Sequence, residues 1–207
     1  LRWIDEVGPE FRFCPKVPRD VSHGEHLPGA PGVLQAFWER LECLAEAGRL
    51  GPSFLQLPAR FGLAQLEELS AFLEAWPRQF PLAVEVRHPG FFEGGAEEEN
   101  LNARLIEHGA DRVIFDSRSL FSAAPGDAVE VESQKRKPRL PVRWQALGRH
   151  PMVRFVGRNR VDDLESWLDD AAQAVAGWIT EGRCPHVFMH TPDDVMAPQL
   201  CALFHER

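Results

Sequence analysis

The chain has 207 residues, 44% of them hydrophobic, which is enough for one domain with a packed core. Its formal net charge of -8 opposes a general affinity for nucleic acid or for an anionic membrane surface. The four cysteines lie far apart and form no C-x-x-C pair, which argues against a disulfide framework or a zinc ribbon and favours reduced thiols in a cytoplasmic protein.

The termini and the hydropathy pattern give two further expectations. No apolar run approaches about 18 residues and the N-terminus lacks the apolar core of a signal peptide, so we expect neither a membrane-spanning helix nor secretion. The first residue is Leu1 and not methionine. We therefore expect the numbering to begin inside a longer protein.

Strand and helix periodicities alternate along the chain. The predicted strands are residues 11–17, 53–58, 82–86, 112–116, 152–156 and 186–190. The predicted helices are residues 1–7, 34–47, 63–76, 98–108, 162–181 and 195–205. The polar segment 122–150 is predicted to be a long loop, with the run Lys135-Arg136-Lys137 as a solvated part of it.

Repeated strand–helix units predict an α/β fold with a parallel sheet. A closed (β/α)₈ barrel needs eight units and about 250 residues, whereas about six units also fit an open, doubly wound sheet. The chain has neither a G-x-G-x-x-G nor a P-loop pattern, so nothing supports a nucleotide-binding version of the open sheet. Composition and periodicity leave both architectures open.

Every predicted strand carries polar side chains at its carboxyl end. These residues are Lys16, Gln56, Glu85 with Arg87, Asp116, Arg154 and His190. The carboxyl ends of parallel strands meet at one edge of a sheet, where barrels and open sheets bind their ligands, so the pattern predicts a common site. The alternative interpretation is a set of structural ion pairs that cap the strands.

Cations outnumber acids among these residues. At the strand ends Lys16, Arg87 and Arg154 face Glu85 and Asp116, and just beyond the ends lie Arg19, Arg118 and Arg158. This excess predicts an anionic ligand, with phosphate or carboxylate favoured because arginine binds either in a bidentate manner. The alternative is that each arginine pairs with one of the 31 Asp and Glu residues, which we expect of Arg118 more than of Arg154.

Three histidines lie near these ends and could act as general acids or bases at neutral pH: His23, His88 and His190. His88 and His190 could also join Glu85 and Asp116 in a metal site, although no pair among them has helical i, i+4 spacing. Asp193 and Asp194 are interpreted as the N-cap and first-turn acid of the last helix.

Five segments are informative when they are taken together in their order and spacing. They are Phe13-Cys14-Pro15-Lys16-Val17-Pro18-Arg19 with His23, Leu55-Gln56-Leu57-Pro58 with Phe61, Glu85-Val86-Arg87-His88, Phe115-Asp116-Ser117-Arg118 and Val153-Arg154-Phe155-Val156-Gly157-Arg158. Together they resemble the DUF72 (YecE-like) family of uncharacterised proteins. The resemblance covers essentially the whole chain and implies a TIM-type (β/α) barrel, as a single domain over residues 1–207. It implies a fold and a pocket, and it names no reaction.

The chain departs from the family pattern in two places. Members begin with a glycine- and tryptophan-bearing first strand and a second strand with an Asn-Ser-Thr-Phe-Tyr-like run, and neither is in this sequence. The resemblance therefore implies a barrel short of two strands in this chain, with exposed strand edges near Phe13 and Phe188. Many members also have an Asn-Asn pair where this chain has Asp193-Asp194, so an amide contact is not expected there.

The leading hypothesis is a cytoplasmic enzyme that acts on a small, anionic, phosphate-bearing substrate, with nucleotides and nucleic-acid fragments within that class. The predicted catalytic residues are Glu85, His88 and Asp116. The predicted substrate-binding residues are Lys16, Arg19, His23, Gln56, Arg87, Arg118, Arg154, Arg158 and His190. Two alternatives stand beside it: a non-catalytic binding protein for an anionic metabolite, and a metal-assisted hydrolase or isomerase. No cofactor or bound metal is assigned, and no membrane partner is expected.

Overall fold

The computed structural model describes residues 2–27, 29 and 32–207, and the chain divides into two compact units, Leu1–Arg112 and Val113–Arg207. The strands are β1 Ser53–Gln56, β2 Leu82–Glu85, β3 Asp111–Asp116, β4 Met152–Val156 and β5 His186–His190. They pair in chain order and every pairing is parallel. The first two residues of β3 belong to the first unit and pair with β2, and its last four belong to the second unit and pair with β4. The predicted α/β class is confirmed.

All six predicted helices contain an observed helix, with some shift at the ends. The helices are α1 Arg2–Asp5, α2 Arg19–Ser22, α3 Val33–Glu46, α4 Leu66–Ala75, α5 Ala96–Glu107, α6 Ala128–Arg136, α7 Glu165–Thr180 and α8 Ala197–His205. The first predicted helix, residues 1–7, was expected to begin at Leu1, which lies outside the described residues. Within the described residues, no helix is both long enough and apolar enough to cross a membrane.

The first unit buries one face of α3 and α4 in its core. In α3 the buried residues Leu34, Phe37, Leu41 and Leu44 recur at helical spacing. The helix stops because Gly48 adopts a positive φ of 66°, which lets its N–H and that of Arg49 bond back to carbonyls of the last turn. This ending turns the chain toward β1, at whose carboxyl end Gln56 lies.

The predicted first strand, residues 11–17, is wrong as a continuous strand. The segment makes two isolated parallel bridges, Phe13 with Leu50 and Lys16 with Phe54. Pro15 lies between them and has no N–H to donate, so it can only accept, as it does from the backbone N–H of Phe54 at 3.0 Å. The bridge at Lys16 nevertheless places that side chain beside β1.

The predicted loop over residues 122–150 contains a helix, α6, that the sequence analysis missed. The Asp127 side chain caps it by accepting a hydrogen bond from the backbone N–H of Glu130 at 2.7 Å. The Lys135-Arg136-Lys137 run is therefore not a loop. Lys135 and Arg136 form the last turn of α6, where positive charge is favoured by the helix dipole, and Lys137 follows as the C-cap.

Strand alternation decides which residues of β4 enter the helix-facing core of the second unit. Val153 packs with Val175 and Trp178, and Phe155 packs in a cluster with Leu164 and Leu168 of the α7 region. Since successive strand residues point to opposite faces, Arg154 lies on the other face from these two. Its guanidinium is thereby kept out of the apolar layer.

Substitution by alanine at two glycines of the second unit should change the free energy of unfolding in opposite directions. A Cβ at Gly157, directly after β4, would lie 2.6 Å from Leu164 Cδ1 and 3.2 Å from Leu200 Cδ2, and both leucines are buried. We expect Gly157→Ala to lower the free energy of unfolding by about 1–3 kcal/mol. A Cβ at Gly177, inside α7, would meet no atom within 4 Å, so Gly177→Ala should raise it by about 0.5–1 kcal/mol. Urea denaturation measures both, and equal shifts of the same sign would contradict the packing described.

Candidate active site

In the first unit, four predicted site residues form a chain of hydrogen bonds. Lys16 Nζ donates to Gln56 Oε1 at 2.8 Å, and Gln56 Nε2 donates to Glu85 Oε1 at 2.9 Å. Arg87 Nε donates to the same Glu85 oxygen at 2.6 Å. The geometry follows from the sheet, because Gln56 and Glu85 are register partners on β1 and β2. The strand ends thus bring together a carboxylate, an amide and two cations.

The four residues of this hydrogen-bond chain differ in how deeply they are buried. Glu85 is completely buried and Gln56 nearly so, whereas Arg87 is partly exposed and Lys16 is exposed. A buried carboxylate is stable only when paired and hydrogen-bonded, which the Arg87 and Gln56 contacts provide. The arrangement therefore presents positive groups outward over an anchored acid.

His23 lies in a positive electrostatic environment. Burial lowers its pKa below the usual value, and the next four causes, all of which also lower it, are the cations Arg19, Lys16, Arg60 and Arg87. Its Nδ1 is 2.8 Å from the Ser22 hydroxyl oxygen. The lowered pKa favours the neutral imidazole of His23 near pH 7.

Arg60 was missed by the sequence analysis, although it follows β1 by only a few residues. Its Nη2 donates to the carbonyl oxygens of His23 and Gly24, at 2.8 and 3.2 Å, and so fixes the loop that carries His23. Beside this loop lies an open groove of about 470 Å³ whose lining includes Arg19 and His23. The described lining of this groove also includes the acids Asp20 and Glu25, and it includes none of the four hydrogen-bonded residues.

The His88 ring is held by contacts with neighbouring residues of its own segment. Its Nδ1 accepts a hydrogen bond from the backbone N–H of Gly90 at 3.1 Å, and its ring meets Phe91 edge to face. A Cβ on Gly62 would lie 3.1 Å from the His88 ring, so the glycine makes room for it. With Nδ1 as acceptor, the proton of the neutral ring is on Nε2.

In the second unit, Asp116 and Arg118 are locked to each other. The buried Asp116 carboxylate accepts hydrogen bonds from the backbone N–H, Nε and Nη2 of Arg118, and Arg118 Nη1 donates to Asp170 at 2.9 Å. The guanidinium also lies over the rings of Trp144 and Trp167. The expected pairing of Arg118 with carboxylates is confirmed, and two acids compensate its charge.

The charge of Arg158 is also compensated by a carboxylate, that of Glu130. Arg158 donates through Nε and Nη2 to Glu130, at 2.7 Å for the shortest contact. This pairing, with the backbone N–H groups of Gly126 and Asn159, holds the pKa of the buried Glu130 carboxyl below its usual value. Glu130 was missed because it belongs to the unpredicted α6.

Arg154, predicted at the end of its strand, is the middle residue of β4, and it reaches His190 at the carboxyl end of β5. Arg154 Nη2 is 3.4 Å from His190 Nε2, and His190 Nδ1 is 3.5 Å from Asp194 Oδ1. A guanidinium can only donate, so Nε2 accepts and the Nδ1 proton points to Asp194. Burial lowers the pKa of His190, and Arg154 lowers it further against the opposing effect of Asp194. The histidine is therefore neutral and oriented from both sides.

Asp193 and Asp194 do not cap the last helix as predicted. Helix α8 begins at Ala197 with Met196 as its N-cap, and both acids belong to the turn before it. Asp194 has a positive φ of 59°, a conformation that Asp tolerates better than most residues. The turn aims its carboxylate at His190.

The four residues considered for a metal site do not form one. Among the described residues, the group whose ligand atoms approach closely enough is His150, Cys184 and His186, which contains none of them. Burial, followed by the nearby His150, lowers the pKa of His186 to about 4. The sequence analysis missed this group because its members precede or begin strands instead of ending them.

Comparisons with known proteins identify the family. The model for "Protein of unknown function DUF72" matches residues 1–207. UPF0759 protein YecE of Escherichia coli K12 is 38% identical over 200 residues, which is 97% of this chain and 72% of that protein, and the version from Escherichia coli O157:H7 is 37% identical over the same shares.

Two solved structures share the fold. A DUF72 family protein from Enterococcus faecalis V583 superposes with a TM-score of 0.72 at 18% identity, over 99% of this chain and 77% of that one. A DUF72 family protein from Thermotoga maritima MSB8 gives 0.67 at 20% identity, over 99% and 77%. The match to the family model over the full length and the identity to YecE establish that this chain belongs to the DUF72 family.

Proposed function

We propose that the chain binds a small anionic ligand that carries phosphate at the carboxyl ends of β1 and β2, and acts on it by proton transfer. The observation that carries the proposal is the positive field at His23, where Lys16, Arg19, Arg60 and Arg87 all act in the same direction. In a protein with a net charge of -8, such a concentration of cations favours an anion. Phosphate suits lysine and arginine donors together.

The proposed chemistry assigns separate roles to these groups. Lys16, Arg19 and Arg87 neutralise the anion, Gln56 orients Lys16, and Glu85 with His23 or His88 moves a proton. Glu85 is held by two donors on one oxygen, which fixes its position for such a transfer. Asp116, paired with Arg118, and the Arg154–His190 pair remain proposed site residues of the second unit.

We also propose that the sheet belongs to a TIM-type barrel. Five parallel strands are present in the described residues, and the similar structures are longer than the part that this chain covers. Eight strands would require strands from outside this sequence. In the described residues β5 is the last strand of the sheet order and the least buried, as expected for the strand where such a barrel would continue.

Ligand binding tests the proposed function directly. We expect inorganic phosphate, nucleotides or short oligonucleotides to raise the melting temperature. Lys16→Met and Arg19→Ala should each weaken the affinity of the best probe about tenfold, the cost of one charge-assisted hydrogen bond. Arg154→Ala tests the second unit in the same assay. Calorimetric titration gives the affinities.

Matched surface variants provide the controls. Lys135→Met and Arg40→Ala remove exposed cations from α6 and α3 and should leave the affinity unchanged. A steep loss of affinity with salt for oligonucleotides alone would assign the site to a nucleic-acid backbone. Binding of a probe without its turnover would indicate that the protein is a non-catalytic binding protein. If no probe binds, or if the controls weaken binding as much as Lys16→Met, the anion site is refuted.

A further inference from the structure

We propose that His150, Cys184 and His186 bind a divalent transition-metal ion of the zinc class. The three residues lie at the amino ends of β4 and β5, in the second unit. Arg154 is the middle residue of β4, and His190 is the last residue of β5. The metal site is therefore separate from the candidate active site and does not depend on the proposed function.

Parallel pairing brings the three ligands to one place. Met152 is the register partner of His186, so His150 and Cys184, each two residues earlier, continue the same alignment. His186 is the first residue of β5, and Cys184 and His150 lie just before β5 and β4. The atoms that would bind the metal all lie within 4.8 Å of one another.

The backbone around the ligands is firmly connected. Cys184 N–H donates to the Arg149 carbonyl and His186 N–H donates to the Pro151 carbonyl, each at 2.8 Å. Arg183 Nη1 also donates to the Gly148 carbonyl. These three links join the segment before β4 to the segment before β5, so the ligands do not need a folding step to meet.

The donor set selects the class of metal. Two imidazoles and a thiolate suit Zn²⁺ and its neighbours in the transition series, and they do not suit Mg²⁺ or Ca²⁺, which prefer oxygen. Zinc bonds of about 2.0–2.3 Å in a tetrahedron place ligand atoms about 3.3–3.8 Å apart, so a closure of about 1 Å completes the site. Exposed Cys184 can make that movement by side-chain rotation.

Three protein ligands leave a fourth position, which water or an external donor would occupy, as in open zinc sites. The two histidines bind a metal through the neutral imidazole. Cys184 binds as the thiolate, so its thiol must lose a proton. Metal binding should therefore release a proton from the thiol.

The test is titration of the full chain, first treated with chelator, with Zn²⁺ by calorimetry and with Co²⁺ by absorption. We expect one metal ion per chain and a thiolate-to-cobalt charge-transfer band in the near ultraviolet. Cys184→Ser should remove the band. Cys184→Ser and His186→Ala should each weaken Zn²⁺ binding by at least about a hundredfold, since even indirect supports of a metal are worth about 10–100-fold.

Matched variants on α8 of the same unit control for nonspecific binding. Cys201→Ser removes another exposed thiol and His205→Ala another exposed imidazole, and both should keep wild-type affinity and the cobalt band. Circular dichroism verifies that each variant is folded. We expect Cys184→Ser to fold like the wild type, because Cys184 is exposed. No binding by the wild type, or a band that survives in Cys184→Ser, overturns the proposal.

Discussion

Arg112→Leu is expected to lower the free energy of unfolding by about 3–5 kcal/mol, the usual cost of leaving one half of a buried ion pair without the other. Arg112 donates to Glu98 at 2.9 Å and to the carbonyl of Phe91 at 2.7 Å, and it lies over the ring of Phe92. Both charged side chains are more than nine-tenths buried. The substitution removes the cation from the buried Glu98 carboxylate, whose other oxygen accepts a hydrogen bond from the Gly94 backbone N–H. Urea denaturation measures the loss.

Two further variants separate this explanation from a loss of packing. Arg136→Leu breaks an exposed i, i+4 pair with Glu132 and should cost less than about 0.5 kcal/mol. The double variant Arg112→Leu with Glu98→Leu should be more stable than Arg112→Leu alone, because it buries no unpaired charge. If the double variant is instead less stable than the single one, packing and not charge is responsible.

Glu85→Ala should lower the free energy of unfolding by about 2–4 kcal/mol, because it opens a cavity and removes the acceptor shared by Gln56 and Arg87. Glu85→Gln keeps an oxygen at that place and should cost clearly less. For any phosphate-bearing ligand that the chain turns over, Glu85→Gln should abolish turnover while affinity stays within about tenfold. Denaturation and steady-state kinetics measure the two effects.

Glu107→Gln, an exposed position on α5, serves as the control and should change neither stability nor turnover. Turnover that persists in Glu85→Gln would remove Glu85 from the catalytic residues and leave it as the anchor for Arg87. A stability as low in Glu85→Gln as in Glu85→Ala would show that the carboxylate charge, and not its shape, maintains the hydrogen-bond chain.

The strand ends were predictable because an apolar run that stops at a polar residue can be recognised within one segment. Apolar runs that end in Gln56, Glu85 and Asp116 located three strands, and the register of β1 and β2 then brought Gln56 to Glu85. The pairing of Arg118 with a carboxylate was also expected, as it is of most arginines, and the acid Asp116 that it meets lies two residues away on its own segment. The strand ends thus follow from single segments, whereas the contact of Gln56 with Glu85 also needs the pairing of two strands.

Other features depend on information that single segments do not carry. Pro15 lies in an apolar run, and only the partner strand shows that it divides that run into two bridges. Asp127 does carry a local capping signal, but α6 has few apolar residues to reveal its period. The ion pair of Arg112 with Glu98 and the approach of His150 to Cys184 join residues from different segments, and so require the fold.

The pairing of Arg118 with two tryptophan rings has an optical consequence. The chain contains six tryptophans and no tyrosine, so its ultraviolet emission arises from indole alone. Trp144 and Trp167 have a fixed positive charge at 5.9 and 5.2 Å from their ring centres, held by Asp116 at the end of β3. Any event that moves this guanidinium changes the field on both chromophores, which gives the second unit a native fluorescent reporter at its strand ends.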